Sequence, residues 1–319
     1  RRPPRSTLRL TRRQRQMCIR DRLYSVVKVL PAQESATFYG VGSLIALVFL
    51  LAGLFASLFH LGHPDRAWRS AARWRTSWLS REVVVLPAFI AITALYGLIH
   101  FLDLNPVLFT FRDTFAVDLS LLVGAVNTAV AFTLFLCTGM IYACIKFLQE
   151  WASPLTVVNY TLLGSTSGFT LATAFAAYQG SGLTQFYGGW AIILTLVSLL
   201  TRASSLIRNT RIKHKSTTAT AVGIRHARIE QKSQGFMTGS FNTREFFHGA
   251  PQVIFNGIKW LFLLSVFPLP VVLLALGLSA NAAGVFVIAF AVQYAGLLAE
   301  RWYFFAEANH PQNLYYQTV

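Results

Sequence analysis

Charge is what this sequence has least of. Asp, Glu, Lys and Arg make up 13% of its 319 residues, about half the share of an ordinary soluble domain. Acidic side chains are the scarcest, 12 against 28 Lys and Arg. Cysteine is nearly absent. Cys18, Cys137 and Cys144 include no pair at the C-x-x-C spacing, so no cluster or zinc site is expected on this chain. Cys137 and Cys144 share a helix face within an apolar run, where a buried small residue is the ordinary role. The seven histidines, His60, His63, His100, His214, His226, His248 and His310, all avoid the middle of an apolar run. A b-type haem needs facing histidines from within two membrane helices, so no haem is expected either.

What the chain has is apolar length. Hydrophobic residues reach 54% and the mean hydropathy is +0.50. A membrane helix needs roughly 20 apolar residues. Seven windows qualify, at about Phe38–Phe59, Val83–Leu102, Leu119–Ile145, Thr156–Tyr178, Gln185–Leu206, Trp260–Leu278 and Ala282–Phe304. The first four and the sixth carry no charged residue. The fifth carries Arg202 near its end, where a long side chain can reach the interface. The seventh carries Glu300 and Arg301, a pair expected to meet another buried group before it relays protons. Gly164, Gly168, Gly188 and Gly189 read as points of close helix packing. The expected fold is all-α, a polytopic transmembrane helix bundle with seven visible spans and an eighth in the intact protein.

The net charge of +16 invites a nucleic-acid reading, but its distribution argues for a bilayer. Residues 1–22 hold nine Arg and one Asp, half of the net charge. They contain no apolar run, so they are no secretory signal. They are expected to be a non-native or disordered basic segment, since QRQMCIRDR resembles translated sequencing-adapter sequence. The remainder, 23–319, reads as one integral membrane anchor domain. Its basic residues alternate between loops. Five Arg fall in 60–82, one in 103–118, Lys146 follows, 179–184 has none, and 207–259 has nine Lys and Arg. The positive-inside rule then puts 60–82, 146–155, the long loop 207–259 and the C-terminus in the cytoplasm. No basic face interleaved with aromatics points to a nucleic-acid partner.

The most informative segment is FHLGHPDRAWRSAARWRTSWLSREVVV, residues 59–85. Pro64 and Asp65 suit a helix start. Ala67, Ala71, Trp74 and Trp78 then follow helical spacing on one stripe, with Arg66, Arg69 and Arg73 on another, which predicts an interfacial helix. A surface helix without chemistry would look the same. What argues for chemistry is His60 and Glu82, one at each membrane boundary of the loop. A quinone headgroup exchanges protons as it exchanges electrons. It needs a hydrogen-bond donor and a group that titrates near neutral pH, and a carboxylate at a membrane edge is costly unless used or paired.

The run HLGHPDRAWRSAARWRTSWLSRE resembles the corresponding loop of DmsC-type anchor subunits, the membrane partners of DMSO reductase and related molybdoenzymes. AGLLAERWYFFAEANHPQNLYY resembles that family's C-terminus. The loop from IKHKSTTATAVGIRHARIEQKSQGFMTGSFNTREFFHG is similar to the SoeC-like anchors of membrane-bound sulfite dehydrogenase. The resemblance covers about residues 24–319. It implies a multi-pass subunit of the bacterial inner membrane, itself without haem or cluster and not catalytic alone. Its partners would be an iron–sulfur subunit and a molybdopterin catalytic subunit, in an anaerobic or chemolithotrophic respiratory chain. It implies quinone (ubiquinone or menaquinone) binding at His60 and Glu82, with Arg81 and Trp78 beside them. Arg66, Arg69, Arg73 and Arg75 would dock the partner. The family's eight helices agree with one missing here. Electrons would run from sulfite to quinone or, in the DMSO reductase-like alternative, from quinol to substrate. A secondary transporter is the alternative from another class, but no inverted repeat or matched pair of broken helices supports it.

Overall fold

A computed structural model describes residues 34–58, 64–111, 115–213, 219, 220, 223, 226 and 251–308. The basic segment 1–22 and most of loop 207–259 lie outside the described residues. Helices α1 (Ala36–Leu58), α2 (Trp78–Phe101), α3 (Leu119–Ala143), α4 (Pro154–Tyr178), α5 (Thr184–Thr210), α6 (Gln252–Val266), α7 (Pro268–Ala280) and α8 (Ala283–Glu307) form the bundle. A 3₁₀ helix, Pro64–Arg73, precedes α2. A two-stranded antiparallel hairpin, β1 (Val107–Phe111) and β2 (Phe115–Asp118), joins α2 to α3.

Polar residues set the helix starts. Ser77 caps α2 by accepting from the Ser80 amide. Asp118 caps α3 by accepting from the Leu121 amide at 3.0 Å. Ser153 caps α4, with Pro154 in its first turn. Such caps satisfy amide groups that the first turn leaves without helical partners. The seven expected spans all appear as helix, with one interruption. At Phe267 the backbone is distorted from ideal helix angles, φ −111° and ψ −79°, and Pro268 starts α7, so the sixth span is two helices in series. Proline lacks the amide that a continuous helix would use. Asn281 then closes α7 in the left-handed conformation, φ 50°, which asparagine tolerates better than most residues.

Among the described residues six spans are apolar and long enough to cross a bilayer, with α6 and α7 counted together; α4 is long enough but less apolar. Packing explains the difference. Helix α4 touches α3, α5 and α8, and its inward stripe is polar. Thr156, Asn159, Thr166, Thr170 and Thr173 are buried. Facing positions on α5 (Thr195, Ser198, Arg202, Ser205) and α8 (Gln293, Glu300) are buried too. Most hydroxyls donate to a carbonyl of their own helix, as Thr173 does to Phe169 at 2.7 Å and Thr195 to Ala191 at 2.6 Å. A helix shielded from lipid by its neighbours tolerates this composition. Small residues allow the approach. A Cβ on Gly139 would come 2.9 Å from the Val157 backbone, and one on Gly164 would come 2.5 Å from the Phe135 ring. Gly188 is similarly tight against Leu278, but Gly168 and Gly189 meet nothing within 4 Å.

The expected interfacial α-helix is a different object. Pro64–Arg73 is a 3₁₀ helix, in which residues three apart eclipse each other. Arg66 and Arg69 therefore share an edge, and Ala71, Trp74 and Trp78 fall in a 3₁₀ helix, a turn and α2 and not along one α-helix. The Arg73 carbonyl accepts from the Thr76 and Ser77 amides and ends the segment. Trp74 lies in the turn beyond it, and Trp78 opens α2.

Candidate functional site at the basic end

Loops 64–77 and 144–153 and the C-terminal end of α5 gather at one end of the bundle. Arg208 of α5 links two of these elements. Its guanidinium donates to the Gln149 carbonyl at 2.9 Å and to the Glu150 and Ala152 carbonyls at 3.4 Å. The loop is held from the other side by Trp151. Its Nε1 donates to the Phe304 carbonyl at 3.0 Å, and its ring stacks on that of Phe304 with 5.1 Å between centroids.

Glu82 lies at this end, within α2 rather than at the helix boundary, because the Ser77 cap starts the helix earlier than the apolar run implies. Thr138 of α3 donates its hydroxyl to Glu82 Oε1 at 2.7 Å and also to the Leu134 carbonyl at 3.0 Å. The carboxylate is half-buried. Arg81 beside it turns back. Its Nε donates to the Trp74 carbonyl at 3.0 Å and its Nη2 to the Arg75 carbonyl at 2.9 Å. Its guanidinium carbon stands 4.1 Å from the Trp78 ring centroid. Arg81 and Trp78 therefore form the floor of the turn leading into α2. Arg66, Arg69, Arg73 and Arg75 are exposed, with Arg69 over Trp68 at 5.6 Å and Arg75 over Trp74 at 5.5 Å. This is a cationic, tryptophan-bearing surface next to Glu82. His60 lies outside the described residues.

The strongest electrostatic feature is deeper. Glu300 on α8 is fully buried and Arg202 on α5 is 2% exposed. Arg202 Nε stands 2.9 Å from Glu300 Oε1. Arg301 reaches the other carboxylate oxygen, with Nε at 2.8 Å and Nη2 at 2.7 Å. Arg202 does not reach for the interface, as its place near a span end suggests. Burying a lone charge costs several kcal/mol, and a partner with good geometry offsets this. Aromatic rings complete the enclosure. Arg301 lies 4.0 Å from the centroid of Tyr160, whose ring stacks on Tyr142 at 5.6 Å, and Arg202 lies 5.6 Å from Phe262. The sequence pairs Glu300 with Arg301 and predicts another buried group beside them, but it places Arg202 at the interface. Their meeting depends on helices remote in sequence, and no local spacing encodes it.

Among the described residues no group of three or more His, Cys, Asp or Glu gathers as metal ligands. The molecule is thus a helical, multi-pass membrane protein with one charged, partly buried end. The family model for the DMSO reductase anchor subunit (DmsC) matches residues 31–304. The sulfite dehydrogenase C-subunit of Allochromatium vinosum is 55% identical over 301 residues, covering 94% of this chain and 92% of that protein. No solved structure matches. The chain belongs to the DmsC family of membrane anchor subunits.

Proposed function

We propose that this chain anchors an iron–sulfur subunit and a molybdopterin catalytic subunit to the bacterial inner membrane, and passes electrons from sulfite oxidation to the quinone pool. The observation that carries the reading is the Glu82–Thr138 pair. A carboxylate is held by a hydroxyl inside the first turns of a membrane helix, beside an exposed cationic surface. A carboxylate so placed can accept and return a proton at the headgroup of a quinone. His60, two residues beyond the end of α1, is the complementary donor, and Arg81 with Trp78 shapes the approach. The similarity to a subunit named for sulfite dehydrogenase supports sulfite as the electron source. The family's DMSO reductase description supports the reverse direction, quinol to substrate, as the second reading.

The exposed arginines Arg66, Arg69, Arg73 and Arg75 would seat the iron–sulfur partner. The excess of basic residues at this end favours a cytoplasmic face, which suits a cytoplasmic catalytic pair. The test uses the assembled complex in membranes. Glu82→Gln and His60→Ala should abolish sulfite-dependent quinone reduction while sulfite oxidation with a soluble acceptor continues. Full quinone activity in both variants would sink the assignment. A cysteine at Ser70 should be labelled only from the cytoplasm, and labelling from the periplasm would reverse the orientation.

A further inference from the structure

Between the buried ion cluster and the basic-end surface lies an enclosed cavity of about 10 Å³. That is the space of about one water-sized sphere. Its walls include Asn159, Tyr160, Arg202, Asn209, Glu300 and Arg301. Several polar atoms there are buried with no hydrogen-bond partner in the protein. Among them are Asn159 Oδ1, Arg202 Nη2 and Arg301 Nη1, and Asn159 is only 4% exposed. One acceptor and two cationic donors thus border a space that fits one water. Leaving such groups unsatisfied is costly, the more so for the charged ones. Buried waters typically occupy sites where a few such groups converge.

The cavity has polar continuations on two sides. Toward the surface, the Asn209 side chain hydrogen-bonds Glu307, the half-buried last residue of α8. Toward α3, Arg301 lies 4.0 Å from the Tyr160 ring centroid, and the Tyr160 and Tyr142 rings stack at 5.6 Å with their side chains hydrogen-bonded. Tyr142 stands one turn beyond Thr138 on the same face of α3, and Thr138 bonds the Glu82 carboxylate. Polar groups of α2, α3, α4, α5 and α8 therefore form one series from Glu307 to Glu82, through a lipid-embedded bundle in which such groups are expensive.

We propose that the cavity holds an ordered water, and that this water with Tyr160 and Tyr142 forms a proton path from the Glu307 surface to Glu82. This rests on the reading of Glu82 as the quinone-side carboxylate. Reducing one quinone takes two electrons, from the iron–sulfur partner, and two protons. For each proton, the water gives one to the Tyr160 oxygen as Tyr160 passes its own to Tyr142. Tyr142 passes its proton to the Glu82 carboxylate, which protonates the quinone oxygen. Glu150, whose carboxylate lines the cavity, returns a proton to the water and is itself reprotonated from the Glu307 side, and rotation of the hydroxyls resets the path. Arg202, Arg301 and Asn159 hold the water in place. Glu300 keeps the two guanidiniums together.

The experiment uses the whole complex in membranes. Reduced viologen feeds electrons to the iron–sulfur partner, so the result does not depend on the donor substrate, and a short-chain quinone accepts them. Asn159→Leu removes the acceptor on the water and fills its space. Tyr160→Phe keeps the ring against Arg301 and removes only the hydroxyl. Both should lower kcat for quinone reduction about tenfold, as loss of a proton-transfer group does. KM should stay constant and the solvent deuterium isotope effect should rise. Sulfite oxidation with a soluble acceptor, which does not draw on this path, should be unchanged. If both variants keep their kcat and isotope effect while Glu82→Gln is impaired, the path is wrong and the quinone site stands. If Glu82→Gln is also fully active, the quinone reading itself fails.

Discussion

Thr138 donates its hydroxyl to Glu82 Oε1 at 2.7 Å while also donating toward the Leu134 carbonyl of its own helix. One hydroxyl thereby ties the carboxylate of α2 to the backbone of α3. Thr138→Val keeps the shape and removes the donor. Quinone reduction should fall several-fold, and Thr138→Ser should restore it. Steady-state rates with quinone and with a soluble acceptor, measured side by side, check this; equal loss with both acceptors would count against a role at the quinone.

The Arg202–Glu300–Arg301 group predicts an asymmetry between substitutions. Glu300→Leu strands two guanidiniums in the bundle interior, and breaking a buried pair in this way costs about 3–5 kcal/mol. Arg202→Leu leaves Glu300 with Arg301, which already holds it at 2.7 and 2.8 Å. The thermal midpoint of the detergent-purified subunit should therefore drop far more for Glu300→Leu. Equal drops would mean that Arg301 does not sustain the carboxylate alone.

Arg208 spreads one guanidinium over the carbonyls of Gln149, Glu150 and Ala152. Hydrogen bonds to a charged group are worth about 1.5–3 kcal/mol where they are well shielded, and this half-buried site should give less. Arg208→Ala should speed amide hydrogen exchange across 144–153. Arg208→Lys should not restore protection, because an ammonium cannot span several acceptors as the planar fork does. Exchange measured by mass spectrometry reads both.

Gly139 sits where α3 meets the Val157 backbone of α4, and an added Cβ would stand 2.9 Å from Val157 Cα. Backbone cannot swing aside as a side chain can. Gly139→Ala should cost about 1–3 kcal/mol of stability. It should also disturb quinone turnover, because Thr138 is the adjacent residue. A variant with unchanged melting and turnover would show that the two helices separate easily here.

The helices were readable in the sequence because each span is a long apolar run, and the seven windows all fall on helices. Three features were not. The interruption at Phe267–Pro268 was hidden because apolar residues continue on both sides of it. The helix containing Glu82 begins at Trp78 and not at Val83, because a cap and not hydropathy sets its start. The 3₁₀ geometry of Pro64–Arg73 was hidden as well, since arginines at positions 66, 69 and 73 fit an α-helix equally well. Of the candidate site, Glu82 was singled out by residue type and place, but its partner Thr138 was not, since a threonine inside an apolar run carries no local signal. The tyrosines Tyr142 and Tyr160 were not, because an aromatic near a span end ordinarily marks only the lipid interface.

The threonine-lined helix α4 has a consequence for how the protein is made. Its hydroxyls and Asn159 are acceptable only because α3, α5 and α8 surround them. When α4 leaves the ribosome, α8 has not yet been synthesised. During that interval a comparatively hydrophilic segment must reside in the bilayer with part of its polar stripe uncovered. Its retention there depends on early pairing with α3 and α5, and the last helix to arrive, carrying Glu300, is the one that neutralises Arg202 and seals the interior. Biogenesis of this subunit therefore ends with a charge being matched, and a chain truncated before α8 would present quality-control proteases with an unpaired arginine inside the membrane.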